Sequence, residues 1–157
     1  MMMNTSLSHR IESFLAAHHV LSLATFGSSG PHATSLFYAC DGLAPVWVSE
    51  TETQHSREIE ADPRVAATVA QGCSDFAAIR GVQIAGVARR IVTADARMRH
   101  LAQLATRFPF LEQMATASAE LRQAYSRAAV YRLQPARIVL IDNSKGFGHK
   151  ETLEISK

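Results

Sequence analysis

Three short runs, the first two closed almost at once by glycine turns and the third by a polar segment, decide much of what this chain can become. Residues 19–26 end in Gly27-Ser28-Ser29-Gly30-Pro31, residues 32–39 end in Asp41-Gly42, and residues 45–49 end in a polar segment. Runs this short, with turns this tight, read as consecutive antiparallel strands, because a parallel pair needs a crossover of a dozen or more residues. Residues 64–70 and 81–91 are two more strands. A last one runs over 129–133, bends near Pro135 and resumes over 137–141, which makes six. Helical spacing appears in four places. Ser8 is the expected cap of a first helix whose stripe is Ile11, Phe14, Leu15 and His18. A short helix over 53–61 is stopped by Asp62-Pro63. Residues 95–107 carry Met98, Leu101, Leu104, Ala105 and, just beyond, Phe108 on one side, and 118–126 form a further helical piece. Six strands with few helices suit a small antiparallel barrel decorated by helices, which hides its strand edges; an open α+β sheet fits the same pattern.

The chain has 157 residues, enough for one domain over 1–157 with its own core; residues 1–8 are expected to be disordered and 142–157 to form a C-terminal tail. A net charge of +2 is too small to argue for a nucleic-acid partner. No apolar run reaches membrane-spanning length, and the start has no charged segment followed by an apolar one, so neither a membrane helix nor a signal peptide is expected. Cys40 and Cys73 form no CxxC pattern, and a reducing cytoplasm is the natural setting. The seven histidines make no HExxH or Cys/His set, so no metal site is expected. The G-x-S-x-G, G-x-G-x-x-G and P-loop patterns are all absent.

Chemistry concentrates in three stretches. The first is Ser49-Glu50-Thr51-Glu52-Thr53-Gln54-His55-Ser56-Arg57, at a strand-to-helix junction. Aligned backbone N–H groups at a helix start, joined by Ser49, Thr53, Gln54, His55 and Arg57, are the donors that an anion needs. The plain alternative is that Thr51 or Thr53 caps the helix and the rest is solvated. The second is Arg80-Gly81-Val82-Gln83-Ile84-Ala85-Gly86. There Gln83 is expected to be buried, with its amide on a ligand or a neighbouring backbone, and Gly81 and Gly86 allow another backbone or a flat ligand to come close. The third is the strand of small polar residues from His32 to Tyr38, suited to a planar ring or to mixed exposure. The Gly146-Phe147-Gly148 tail mounts one aromatic, as a lid, a docking patch or a loop tip. Tyr38, Lys145 and His149 are the candidates for proton transfer, and Met98 and Met114 read as core filler.

Together these residues resemble the pyridoxamine 5′-phosphate oxidase-like, FMN-binding split-barrel superfamily, and within it the bacterial YhbP-like branch. Three pieces carry the resemblance: Ser49 with Thr53-Gln54-His55-Ser56 and Asp62-Pro63-Arg64-Val65-Ala66; the Ile79–Gly86 strand; and Asp142-Asn143-Ser144-Lys145-Gly146-Phe147-Gly148. It implies a six-stranded split β-barrel and a homodimer with FMN in a groove between subunits. By position, His32, Ala33, Thr34, Ser35 and Leu36 would run beside the flavin. Ser49 and Thr53 would lie at the phosphate, Gln54 and His55 would replace a basic pair there, and Gln83 would reach the flavin from the neighbouring chain. Histidine is only partly charged near neutral pH, so this phosphate site has lost fixed positive charge. The activity implied is a flavin-dependent oxidoreductase acting on a small molecule. The alternative is a non-enzymatic haem- or flavin-binding carrier or sensor, with His32 or His149 as the axial ligand of a haem.

Overall fold

A computed structural model describes residues 6–156. Ser6 caps α1 (Leu7–Ala17) by accepting a hydrogen bond from the His9 backbone N–H, and Ile11 and Leu15, one turn apart, are its buried residues. The cap therefore lies two residues before the expected Ser8. Residues 6–8 are part of the cap and first turn, not a disordered lead; the remainder of that expectation, residues 1–5, lies outside the described residues.

Eight strands follow, all antiparallel to their neighbours: β1 (Val20–Gly27), β2 (Gly30–Phe37), β3 (Ala39–Asp41), β4 (Ala44–Glu50), β5 (Arg64–Ala70), β6 (Arg80–Arg90), β7 (Ala128–Asp142) and β8 (Lys150–Glu154). Their order is β2-β1-β5-β6-β7-β4-β3, with β8 also on β7. Two strands exceed the six expected. One is β3, split from β2 at Tyr38; the other is β8, in the stretch read as a tail. Between β4 and β5 lies α2 (Gln54–Ala61), and between β6 and β7 lie α3 (Ala94–Arg107), α4 (Phe110–Thr116) and α5 (Ala119–Arg127).

Period-two burial explains the sheet. Along β1 and β5 every second residue is buried. The buried set, with Leu21, Leu23, Trp47, Val82, Ile84, Tyr131, Leu133 and Ile138, forms one core that Ile11 and Leu15 of α1 plug. Each such side chain contributes about 1.5–3 kcal/mol by leaving water. The long strand β7 makes the sheet curl into a half-barrel. Gly86 of β6 faces Pro135, the next pair is Ala85 with Arg137, and Ala136 is the extra residue of a bulge. Its carbonyl accepts from the Ile155 N–H at 2.9 Å. A Cβ on Gly86 would sit 2.1 Å from the Gln134 carbonyl oxygen, so the backbone that Gly86 lets approach is that of β7.

The amphipathic stripe of α3 is shifted from the one expected. Leu104 and Phe108 are buried, but Met98 is 65% exposed and His100 is buried instead. Arg107, at the end of α3, donates to the carbonyls of Leu15, Ala16 and His18 and lies over the Tyr38 ring, tying α3 to the C-terminal end of α1. No helix among the described residues is long and apolar enough to cross a membrane.

Candidate functional site

The junction between β4 and α2 gathers a polar cluster. Thr53 is the N-cap of α2, accepting from the Ser56 N–H, as the plain capping alternative allowed. Its hydroxyl also lies 3.2 Å from His55 Nε2. Ser49 Oγ is 2.7 Å from the same nitrogen. His55 is buried, and burial, with His32 nearby, pulls its pKa below the ordinary 6.5, so it is a neutral ring at neutral pH. One face further round α2, Gln54 donates to Glu58 Oε1 at 2.9 Å and Thr25 donates to Glu58 Oε2 at 2.5 Å. His32 Nδ1 is 3.6 Å from that oxygen, and its ring stacks on that of His55 with centroids 6.4 Å apart. The two hydrogen bonds, Thr25 first, outweigh desolvation and hold the Glu58 carboxyl below its usual range.

Sequence reasoning missed Thr25 and Glu58, which organise this cluster. Two signals were available. Glu58 lies one helical turn after Gln54, and the tight turn between β1 and β2 sets Thr25 directly opposite His32. Gly27 belongs here too. A Cβ on it would sit 2.8 Å from Glu58 Cγ and Oε1, so the helix packs its carboxylate against bare backbone.

The expected site residues do not converge in one copy of the chain. His32, Ser49, Thr53, Gln54 and His55 belong to the cluster. Ala33 points to the opposite face of the β1–β2 pair, into a hollow of about 450 Å³ that Ser22, Ala24, Ala66, Thr68, Gln83 and Arg137 also line. Gln83 is exposed there, contrary to its expected burial, because it falls on the outward phase of β6. Ser35 and Leu36 line a second cavity beside Ser49, and Thr34, half-buried, stands opposite Leu23. The proton-transfer candidates are otherwise engaged. Tyr38 is buried and donates to the Leu15 carbonyl, with burial raising its pKa, while Lys145 and His149 both pair with Glu151. Phe147 is 87% exposed and stacks on Phe76, its loop held by Asn143 against the Phe76 and Ile79 carbonyls.

The sequence profile of the pyridoxamine 5′-phosphate oxidase family matches residues 7–142. The chain belongs to this family. Within it, the chain is 29% identical to a UPF0306 protein of Serratia proteamaculans over 151 residues, 95% of this chain and 96% of that one. Among solved structures, a conserved hypothetical protein from Mycobacterium tuberculosis superposes with a TM-score of 0.74 at 21% identity, covering 98% of this chain and 94% of that one. A haem binding protein from Mycobacterium smegmatis superposes with a TM-score of 0.72 at 26% identity, covering 97% of this chain but only 59% of that longer one. The split barrel implied by the resemblance is thus the family fold, built here with eight strands.

Proposed function

We propose that the protein is a flavoprotein that holds FMN non-covalently between two copies of the chain and serves as an oxidoreductase for a small molecule. The observation that carries this reading is the split described above. The polar cluster and Gln83 lie on opposite faces of one sheet, so a ligand in a single copy cannot reach both. A second copy whose hollow faced the first copy's junction would bring Gln83 to the other end of the same ligand. The hollow suits a flat ring, since Ala24, Ala33, Ala66 and Ala85 leave backbone uncovered. At the phosphate end the donors are the Ser49 and Thr53 hydroxyls, the Gln54 amide and the start of α2. His55 is neutral and orients the Ser49 hydroxyl. Arg57, exposed on the same helix, is the cation within this segment. These groups fit a phosphate with mostly neutral donors, which makes for looser binding than a basic pair would give. A bound flavin would supply two-electron redox chemistry; the chain supplies position, a dry wall and hydrogen bonds. A cytoplasmic setting suits the unpaired thiols of Cys40 and Cys73.

The likeness to a haem-binding protein favours a second reading, a haem carrier. The two candidate ligands differ: His149 holds Nε2 toward Glu151 at 3.4 Å and must leave it to bind iron through that atom, whereas His32 holds Nδ1 toward Glu58 at 3.6 Å and keeps Nε2 for a metal. An absorbance spectrum of the freshly purified protein, followed by separate titrations with FMN and haem, separates the two. Flavin bands and saturable FMN binding are expected, with Ser49→Ala weakening FMN by about 1–2 kcal/mol through one lost hydrogen bond to a charged group. A Soret band with no affinity for FMN would reverse the order of the two readings.

A further inference from the structure

The second cavity has a chemistry that the flavin reading does not use. It has a volume of about 320 Å³ and lies between the ends of β2 and β4 and the three helices inserted between β6 and β7. Its apolar wall includes Leu104, Phe108 and Leu111, with Phe37 and Phe110 at its edge. The three phenylalanine rings stand 5.2–5.8 Å apart and tilted toward one another, leaving ring faces and edges available to a further ring. Phe37 is 53% exposed and Phe110 39%, more than core packing explains. Polar groups are few: Ser35, Ser49, Tyr125 and Glu50. Glu50 is the one charged residue in the lining. Its only ion-pair partner among the described residues is Arg127, at a long 3.9 Å with the Arg127 side chain 62% exposed, so the carboxylate can take a closer cation.

We propose that this cavity is a binding site for an arylalkylamine with one or two aromatic rings, its ring system among Phe37, Phe108 and Phe110 and its ammonium on Glu50. The volume falls in the range of small-ligand sites, and an apolar wall with one convergent charge is their usual make-up. Ser49 belongs both to this lining and to the polar cluster, which puts the amine next to the proposed phosphate end of the flavin. As a binding site the cavity stands alone; its occupant would lie at the phosphate end of the proposed flavin, away from the ring that exchanges electrons.

Calorimetric titration of the protein with tryptamine, phenethylamine and 3-phenylpropionate tests it, first without and then with added FMN. Saturable binding of both amines, with the carboxylate at least about tenfold weaker, is expected. Glu50→Gln should lower amine affinity about tenfold and remove the discrimination, and Met114→Trp, which fills the cavity, should abolish binding. Equal binding of 3-phenylpropionate, no saturable heat with either amine, or full amine affinity in Glu50→Gln would each overturn the proposal. FMN binding is read separately by its absorbance. Amine binding without FMN binding would leave this site standing and remove the flavin reading, and the reverse result would do the opposite.

Discussion

Glu58 shows how a single side chain sets the terms for its neighbours. Its carboxylate is satisfied by Thr25 and Gln54 and faced by His32, while His55 beside it is buried and neutral. The two groups shift in the same direction, and both make folding sensitive to acid. His55 in the unfolded chain takes a proton near pH 6.5, and in the folded chain only lower. Its contribution is thus present above that pH and lost as the pH falls through it. Glu58, ordinarily near 4.5, contributes above that value and loses its contribution as the pH falls toward its lower folded value. Melting temperature followed from about pH 8 to about pH 3 should therefore fall in two steps, and His55→Gln should lose the upper step alone. A variant with both steps intact would mean that His55 is not the group responsible. Gly86 makes a sharper prediction. A methyl group there meets the Gln134 carbonyl at 2.1 Å, a backbone atom that the bulge holds in place. Gly86→Ala should cost about 2–4 kcal/mol in denaturant unfolding, at the upper end of ordinary substitutions.

Among the elements, α1 and α3 hold each other through one guanidinium. The last carbonyls of a helix have no partner within it, and Arg107 supplies one from another helix while resting on the rings of Tyr38 and Phe108. Arg107→Leu keeps much of the apolar stem but takes this donor from the Ala16 and His18 carbonyls, while Leu15 keeps the Tyr38 hydroxyl. A loss of about 1–3 kcal/mol is expected, with faster amide exchange at the end of α1. The pair Arg10–Glu151 joins α1 to β8 through two contacts of 2.5 and 2.6 Å, with each side chain 28% exposed. Lys145 and His149 stay beside the carboxylate when Arg10 is lost, so Arg10→Ala should cost about 1 kcal/mol.

For the molecule as a whole, the outer face of the sheet is its least explained surface in isolation. A hollow floored by alanines and edged by Gln83 and Arg137 gains nothing from facing water. If two copies meet there around FMN, Ala66→Glu should leave the far-ultraviolet circular dichroism of the chain unchanged, since Ala66 is outside the core. It should also yield monomer by light scattering and abolish FMN retention. A dimer that survives the charge would move the interface elsewhere.

Much of this was legible in the chain itself. The strand runs, their Gly turns, the capped helix stopped at Asp62-Pro63 and the bend at Pro135 are local matters, decided by dihedral preference and by the period of apolar residues. Thr53 was one of the two caps that the plain alternative allowed, and Ser49 and His55, six residues apart, were both named as anion donors; their contact with each other was not. What only the folded molecule decided was which face each residue took and what came to meet it there. Of the five residues from His32 to Leu36, His32 joined the polar cluster, Ala33 the hollow, and Ser35 and Leu36 the cavity, while Thr34 joined none of them. Glu58 and Thr25, 33 positions apart, met because α2 was laid across the β1–β2 hairpin. No local rule specifies such a meeting, because it depends on the curl of a whole sheet and on where β7 bends to let that sheet close.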